Sequence, residues 1–111
     1  MENLVSRDQI RTSDGLSSER FRLSIIVPMY NEEAVVEHLI IGLDAVLREI
    51  DADCEIVCVN DGSTDGTLEK LLLLKKQFPA ICVVDLSRNF GKENALTAGL
   101  EIAGGDAVIP I

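Results

Sequence analysis

Three short polar segments hold most of the side chains in this chain that could do chemistry. They are Pro28-Met-Tyr-Asn-Glu-Glu33, Asn60-Asp-Gly-Ser-Thr-Asp-Gly66 and Ser87-Arg-Asn-Phe-Gly-Lys92. In the first, Tyr30 could stack on or flank a heterocyclic base, while Asn31 or Glu32 could hydrogen-bond a ribose hydroxyl. The same residues also read as a helix start, with Asn31 as N-cap and Glu32 and Glu33 as first-turn acids. In the second, Asp61 could accept a hydrogen bond from a base N–H, or simply form an Asx-turn ahead of Gly62. In the third, Arg88 and Lys92 flank Asn89 and Gly91 just before a helix, a pairing that suits an anion. The plainer reading there is two exposed basic residues.

The elements that must position these segments follow from the hydrophobic pattern. Leu23–Pro28, Cys54–Val59, Ile81–Leu86 and Ala107–Ile111 read as strands, nearly continuous apolar runs of the kind that burial on both faces demands. Between them the spacing changes to threes and fours, which predicts helices. The first starts near Asn31 with a stripe of Val36, Leu39, Leu43, Val46, Leu47 and Ile50. The second, Thr67–Gln77, carries Leu68, Leu71 and Leu72, and the third, Lys92–Ala103, is rich in small residues (Ala95, Ala98, Gly99). This βαβαβαβ order predicts an α/β fold, a Rossmann-like parallel sheet with helices on both faces and right-handed crossovers. Ligands of such sheets bind outside the carboxyl ends of the strands, where strand order reverses. All three polar segments leave strands at that end, so a single rim is expected to carry the site. Residues 1–22 are expected to form a flexible tail, with a helical turn near Leu4 to Ile10, and 23–111 the domain. No closing helix follows the fourth strand, and the chain reads as the N-terminal part of a longer protein.

Composition narrows the partners. Against 10 Lys+Arg stand 19 Asp+Glu, a net charge of −9 over 111 residues with the lone His38 neutral. No basic stripe exists to displace counterions, so nucleic acid is not an expected partner. A phosphorylated ligand would have to be met by backbone amides, a few placed cations or a bridging metal. The 47% hydrophobic fraction supports a real core. No run approaches the ~18 apolar residues of a membrane span, and Met1 to Arg20 lacks the apolar stretch of a secretory signal. A cytoplasmic location is therefore expected, with membrane association only through a C-terminal part beyond this sequence. Cys54, Cys58 and Cys82 lie in apolar runs with no second Cys/His pair to complete a zinc site, and read as small buried hydrophobes. His38 falls inside the first helix, away from any rim. Neither the dinucleotide fingerprint, the P-loop nor the nucleophile elbow is present. A receiver-type signalling domain would need an acidic cluster after the first strand and a fifth strand with a lysine after it. Here Glu32 and Glu33 open a helix, and Asp85 falls within the end of the third strand.

Taken together, Ser24-Ile-Ile-Val-Pro-Met-Tyr-Asn-Glu-Glu33, Val59-Asn-Asp-Gly-Ser-Thr-Asp-Gly-Thr67 and Leu86-Ser-Arg-Asn-Phe-Gly-Lys-Glu93 resemble, in order and spacing, the N-terminal half of family-2 glycosyltransferases with the GT-A fold. The third element resembles the polyprenyl-phosphate branch, which includes dolichol-phosphate mannose synthases and bacterial undecaprenyl-phosphate glycosyltransferases. The resemblance runs from Leu23 to Ile111. It implies that Pro28, Tyr30, Asn31 and Glu32 line a nucleotide pocket, and that Asp61 matches a base-contacting aspartate, with Asn60 in place of a preceding one. Arg88, Asn89 and Lys92 would then lie near the ribose and diphosphate. For a complete relative it implies inverting transfer of a sugar from a UDP- or GDP-linked donor to a polyprenyl phosphate, with Mg²⁺ or Mn²⁺ as cofactor. The family's metal-binding Asp-x-Asp follows the fourth strand, where this sequence ends at Ile109-Pro-Ile111, so the metal ligands are expected outside this chain. Alone, the chain is expected to supply the donor-nucleotide pocket without completing turnover. The alternative is a non-catalytic remnant with weak or no nucleotide binding.

Overall fold

Apolar strands that bury both faces need a helix layer on each, and the computed structural model, which describes residues 20–111, has that arrangement. Its elements are β1 (Arg22–Met29), α1 (Val36–Leu47), β2 (Asp53–Asn60), α2 (Thr67–Gln77), β3 (Ile81–Asp85), α3 (Lys92–Ile102) and β4 (Ala107–Pro110). The four strands are parallel in the order β3-β2-β1-β4. The tail read over residues 1–22, with its turn near Leu4 to Ile10, lies almost wholly outside the described residues.

Two apolar layers flank the sheet. On one face Ile25, Val27, Met29, Ile56, Cys58 and Val83 pack against Val36, Ile40 and Leu47 of α1 and Leu71 and Leu74 of α2. On the other, Ile26, Val57, Val59, Cys82 and Val84 pack against Ala95 and Ala98 of α3. Small residues on α3 let it approach closely: a Cβ at Gly99 would stand 2.5 Å from Ile26 Cγ2 and 3.1 Å from Val59 Cγ2. The cysteines behave as core residues. Cys58 is fully buried, and burial pushes its thiol up to about 12, far from thiolate chemistry.

Two helix readings need correction. The first helix begins at Val36, not near Asn31, and Asn31 is not its N-cap. Asn31 adopts φ 53°, which a helix cannot continue, and residues after it form a turn in which Val35 and Val36 N–H donate to Glu32 O. The stripe also shifts. Ile40 is fully buried, whereas Val46 is 61% exposed and both Ile50 and Leu72 are exposed. At about 100° per residue, Val46 lies roughly a quarter turn from the face centred on Val36/Ile40/Leu47, and Leu72 lies well round toward the side opposite Thr67/Leu71/Leu74.

Face and order together set where the sheet can leave a cleft. The chain runs from β1 outward through β2 to β3, then crosses by α3 on the opposite face to place β4 on β1's other side. The strand order thus reverses between β1 and β4, the position at which such sheets leave a crevice at their carboxyl ends. The strand ladder extends one step past each exit. Asp61 N–H donates to Met29 O (2.8 Å) and Leu86 N–H to Asn60 O (3.0 Å), which aligns the three loops side by side.

Candidate nucleotide cleft

The loops after β1, β2 and β3 form one continuous rim, with the middle loop bonded to both neighbours. Toward the first loop, Asn31 N–H donates to Ser63 Oγ (2.9 Å), and Thr64 N–H donates back to Asn31 Oδ1 (2.8 Å). Glu32 N–H donates to Thr67 Oγ1 (2.9 Å), and Glu33 N–H to Asp65 Oδ2 (3.3 Å). Glu33 serves a helix dipole, but not its own: its Oε1 accepts from Gly66 N–H (2.9 Å) at the start of α2. The left-handed backbone of Asn31 is what turns its amide and side chain toward the second loop.

Asp65 stabilises the same junction. The Thr67 hydroxyl donates to its Oδ1 (2.5 Å), and this bond, helped by the Thr67 and Glu33 amides, holds the carboxyl below the ordinary carboxylate range. Its contribution is present above that range and is lost as pH falls through the lowered value. Replacing Asn31 by alanine should cost about 1–2 kcal/mol, because alanine meets the left-handed penalty and removes the acceptor for Thr64. Asn31→Gly should lose less than half as much. Urea midpoints of the two variants check this, and equal losses would show that the side-chain bond, not the backbone, carries the cost.

Toward the third loop, contact is closer still. The Asp61 side chain is buried at 3% exposure, at the end of β2. Its Oδ1 accepts from Phe90 N–H (2.8 Å), and its Oδ2 from Gly91 N–H (3.0 Å) and Asn89 Nδ2 (3.4 Å). Asn89 Nδ2 also donates to Asp61 O (3.1 Å). Beside it, Gly62 (φ 69°) lies so near the third loop that a Cβ there would stand 2.2 Å from Arg88 C and Asn89 N. Asn60 anchors the strand ends beneath, with Nδ2 donating to Asp85 Oδ1 (2.9 Å).

Above this rim opens a cleft of about 620 Å³, lined by Val27, Pro28, Met29, Tyr30, Glu32, Leu39, Asp61, Asn89, Gly91, Lys92 and Ile111. Its size falls within the usual range for small-molecule sites, and its lining is an apolar floor with a few polar groups. Six of the residues singled out from sequence meet here: Pro28, Tyr30, Glu32, Asp61, Asn89 and Lys92. Tyr30, one of the lining residues, is 46% exposed. The other two do not line it. Asn31 is turned into the loop junction, and the Arg88 guanidinium lies 4.4 Å from the centroid of the Phe90 ring, a cation–π contact. Sequence reasoning passed over Val27, Met29, Leu39 and Ile111. The first three carry only a core signal, and Ile111 reaches the cleft because β4 pairs with β1, which no local pattern reveals.

The described residues contain no group of three or more His, Cys, Asp or Glu side chains gathered to hold a metal ion. Asp61, the buried acid of the rim, directs both oxygens to the third loop. The residues present do not by themselves make a metal site. Among them, too, no helix is long and apolar enough to cross a membrane.

A parallel α/β sheet with its cleft at the order reversal is shared by many ligand-binding folds, and it is the match to solved structures that places this one in the GT-A glycosyltransferase class. The chain belongs to glycosyl transferase family 2, whose profile matches residues 24–111. It is 54% identical over 89 residues to an uncharacterized glycosyltransferase, sll0501, of Synechocystis sp., covering 80% of this chain and 28% of that protein. It is 40% identical over 90 residues to the bactoprenol glucosyl transferase of Shigella phage SfV, covering 81% and 29%. Among solved structures, the mannosyltransferase PcManGT from Pyrobaculum calidifontis, in complex with GDP-Man and Mn²⁺, superposes with a TM-score of 0.66 at 32% identity. That match covers 83% of this chain and 27% of the other. S. aureus TarS 1-349 in complex with UDP superposes with a TM-score of 0.67 at 28% identity, covering 82% and 27%. The chain thus spans under a third of the length of these relatives. The resemblance read from its three polar loops is borne out at the level of family and fold.

Proposed function

We propose that this chain forms the donor-nucleotide pocket of a glycosyltransferase that moves a hexose from a nucleoside-diphosphate sugar to a polyprenyl phosphate. The observation that carries the reading is the cleft itself: a ring, an apolar floor and a lysine converge where the family fold places its ligand crevice. In this reading Tyr30 flanks the base over Pro28, and Glu32 accepts from a ribose hydroxyl. Asn89 and Lys92, at the start of α3, face the diphosphate, where the lysine and the helix N-terminus both favour negative charge. Relatives support the two ends of the reaction. Solved neighbours are complexes with GDP-Man and with UDP, and sequence relatives are named for glucosyl transfer to bactoprenol.

The chemistry assigned to the whole protein is a single inverting displacement. A phosphate oxygen of the acceptor forms a bond to the anomeric carbon as the bond to the nucleoside diphosphate breaks. Such a phosphate is already anionic at neutral pH, so the step needs no strong general base. A divalent ion, when bound, would stabilise the departing diphosphate. The residues of this chain would bind and orient the donor.

Calorimetry on the folded chain with UDP and GDP, each with and without Mg²⁺ or Mn²⁺, tests the proposal. Saturable binding of one nucleotide, lost on Lys92→Glu, is the expected result. Absence of heat for both would sink it.

A further inference from the structure

Among the described residues, Asn31 is the one non-glycine with a positive φ, at 53°. A left-handed residue other than glycine carries a backbone cost, which persists only where the surrounding structure holds it. Asn31 is not among the residues that line the cleft, yet Tyr30 before it and Glu32 after it are. Its own polar atoms go to the second loop. The amide donates to Ser63 Oγ (2.9 Å), and Oδ1 accepts from Thr64 N–H (2.8 Å) and Thr64 Oγ1 (3.3 Å).

Tyr30 depends on such a hold. It is 46% exposed, so close packing does not fix its ring, and the backbone that carries the ring has to. On the strand side that backbone is tied through Met29 O, which accepts from Asp61 N–H (2.8 Å). On the other side the next ties are those of Asn31. Glu32 is secured separately, its amide donating to Thr67 Oγ1 (2.9 Å). The Ser63–Thr64 grip on Asn31 therefore bounds the one residue between the end of β1 and the turn that follows.

We infer that Asn31 is a positioning residue for Tyr30: its bonds to Ser63 and Thr64 hold the turn after β1 so that the tyrosine ring stays against the base of a bound nucleotide. This rests on the nucleotide reading above, and it gives Asn31 and Ser63, neither of them in the cleft lining, a part in ligand affinity. Asparagine suits the place because it tolerates left-handed backbone and its short side chain reaches a nearby amide. The bonds lie at the surface, where water competes for them, so opening the grip leaves the fold standing and loosens the ring.

Calorimetry on the full chain compares wild type, Asn31→Gly, Tyr30→Ala and the double variant. Glycine keeps the left-handed backbone accessible and removes only the side-chain acceptor. The probe is uridine or guanosine, whichever wild type binds, because a nucleoside lacks the diphosphate assigned to Lys92. Asn31→Gly should weaken binding about fivefold or more, the scale of one base–aromatic stack. In the Tyr30→Ala background it should cost less than about twofold further, since the ring it positions is gone. Losses that multiply in the double variant would overturn the inference, as would unchanged affinity in Asn31→Gly. Ser63→Ala opens the same grip from the other loop. It should weaken binding in the same way and lose its effect beside Tyr30→Ala, which keeps the test decisive if Asn31→Gly does not fold.

A second measurement needs no ligand. Tyr30 is the chain's one tyrosine and there is no tryptophan, so tyrosine emission reports on this ring alone. Its fluorescence anisotropy should fall in Asn31→Gly and in Ser63→Ala, because a freer ring moves faster on the nanosecond scale. Unchanged anisotropy in either folded variant would overturn the grip outright. If wild type binds neither nucleoside, the functional reading fails, and anisotropy alone decides whether Asn31 holds Tyr30.

Discussion

Gly62→Ala should destabilise the chain by about 3 kcal/mol or more and abolish nucleotide binding in the fraction that still folds. Two costs combine. Alanine in the left-handed region carries roughly 1–2 kcal/mol. Its Cβ would also stand 2.2 Å from Arg88 C and Asn89 N, which are main-chain atoms with no rotamer through which to withdraw. Relief requires moving the third loop, and that movement breaks the bonds from Phe90 and Gly91 to Asp61. Stability and binding should therefore fall together. Gly42→Ala is the contrasting case: it lies within α1 with nothing within 4 Å of its Cβ, and should be neutral or stabilising by about 0.5–1 kcal/mol. Urea unfolding of both variants, with UDP and GDP titrations, checks the pair. A Gly62→Ala protein as stable as wild type would mean that the two loops separate freely.

Glu55→Ala should cost about 2–4 kcal/mol of stability, yet leave the nucleotide affinity of the folded protein unchanged. Glu55 is a charged-type residue buried in the amino-terminal half of β2, far from the cleft. Its Oε2 accepts from Ser24 Oγ (2.5 Å) and from Gly104 N–H (2.9 Å), while Ser24 Oγ accepts from Gly105 N–H (2.9 Å). The group ties β1, β2 and the α3–β4 connection together behind α3. Alanine would orphan a buried donor, the Ser24 hydroxyl, at about 1–3 kcal/mol, and a half-buried one, the Gly104 amide, at less, and leave a void. The solvent-facing Arg20–Asp53 pair (3.0 Å) at the same end should contribute no more than about 1 kcal/mol. Urea midpoints measured beside a binding titration separate the effects. Weakened binding in Glu55→Ala at full occupancy of the native state would contradict the separation.

Legibility from sequence followed the range of the interaction. Strand runs such as Ile25–Val27 and Ile56–Val59 show themselves because burial on both faces leaves no polar alternation. Gly62 and Gly91 mark turns because their backbones avoid conformations open to other residues. Asn31 misled because an asparagine ahead of two glutamates has the same local signature whether it caps its own helix or clasps a neighbouring loop. Its partners, Ser63 and Thr64, are over thirty residues away. Arg88 shows the same limit: a basic residue beside a helix start fits an anion, and no local pattern reveals that its guanidinium lies 4.4 Å from the Phe90 ring centroid, outside the cleft lining.

The amino-acid order alone determined the parallel α/β architecture, the three polar loops and the family, since each depends on composition and spacing within a few residues. Only tertiary structure decided which loop residues line the cleft and which bond to each other. Strand order is the reason: pairing β2 on one side of β1 and β4 on the other brings Ile111, Tyr30, Asp61 and Lys92 to one opening, and that juxtaposition is a property of the assembled sheet rather than of any segment.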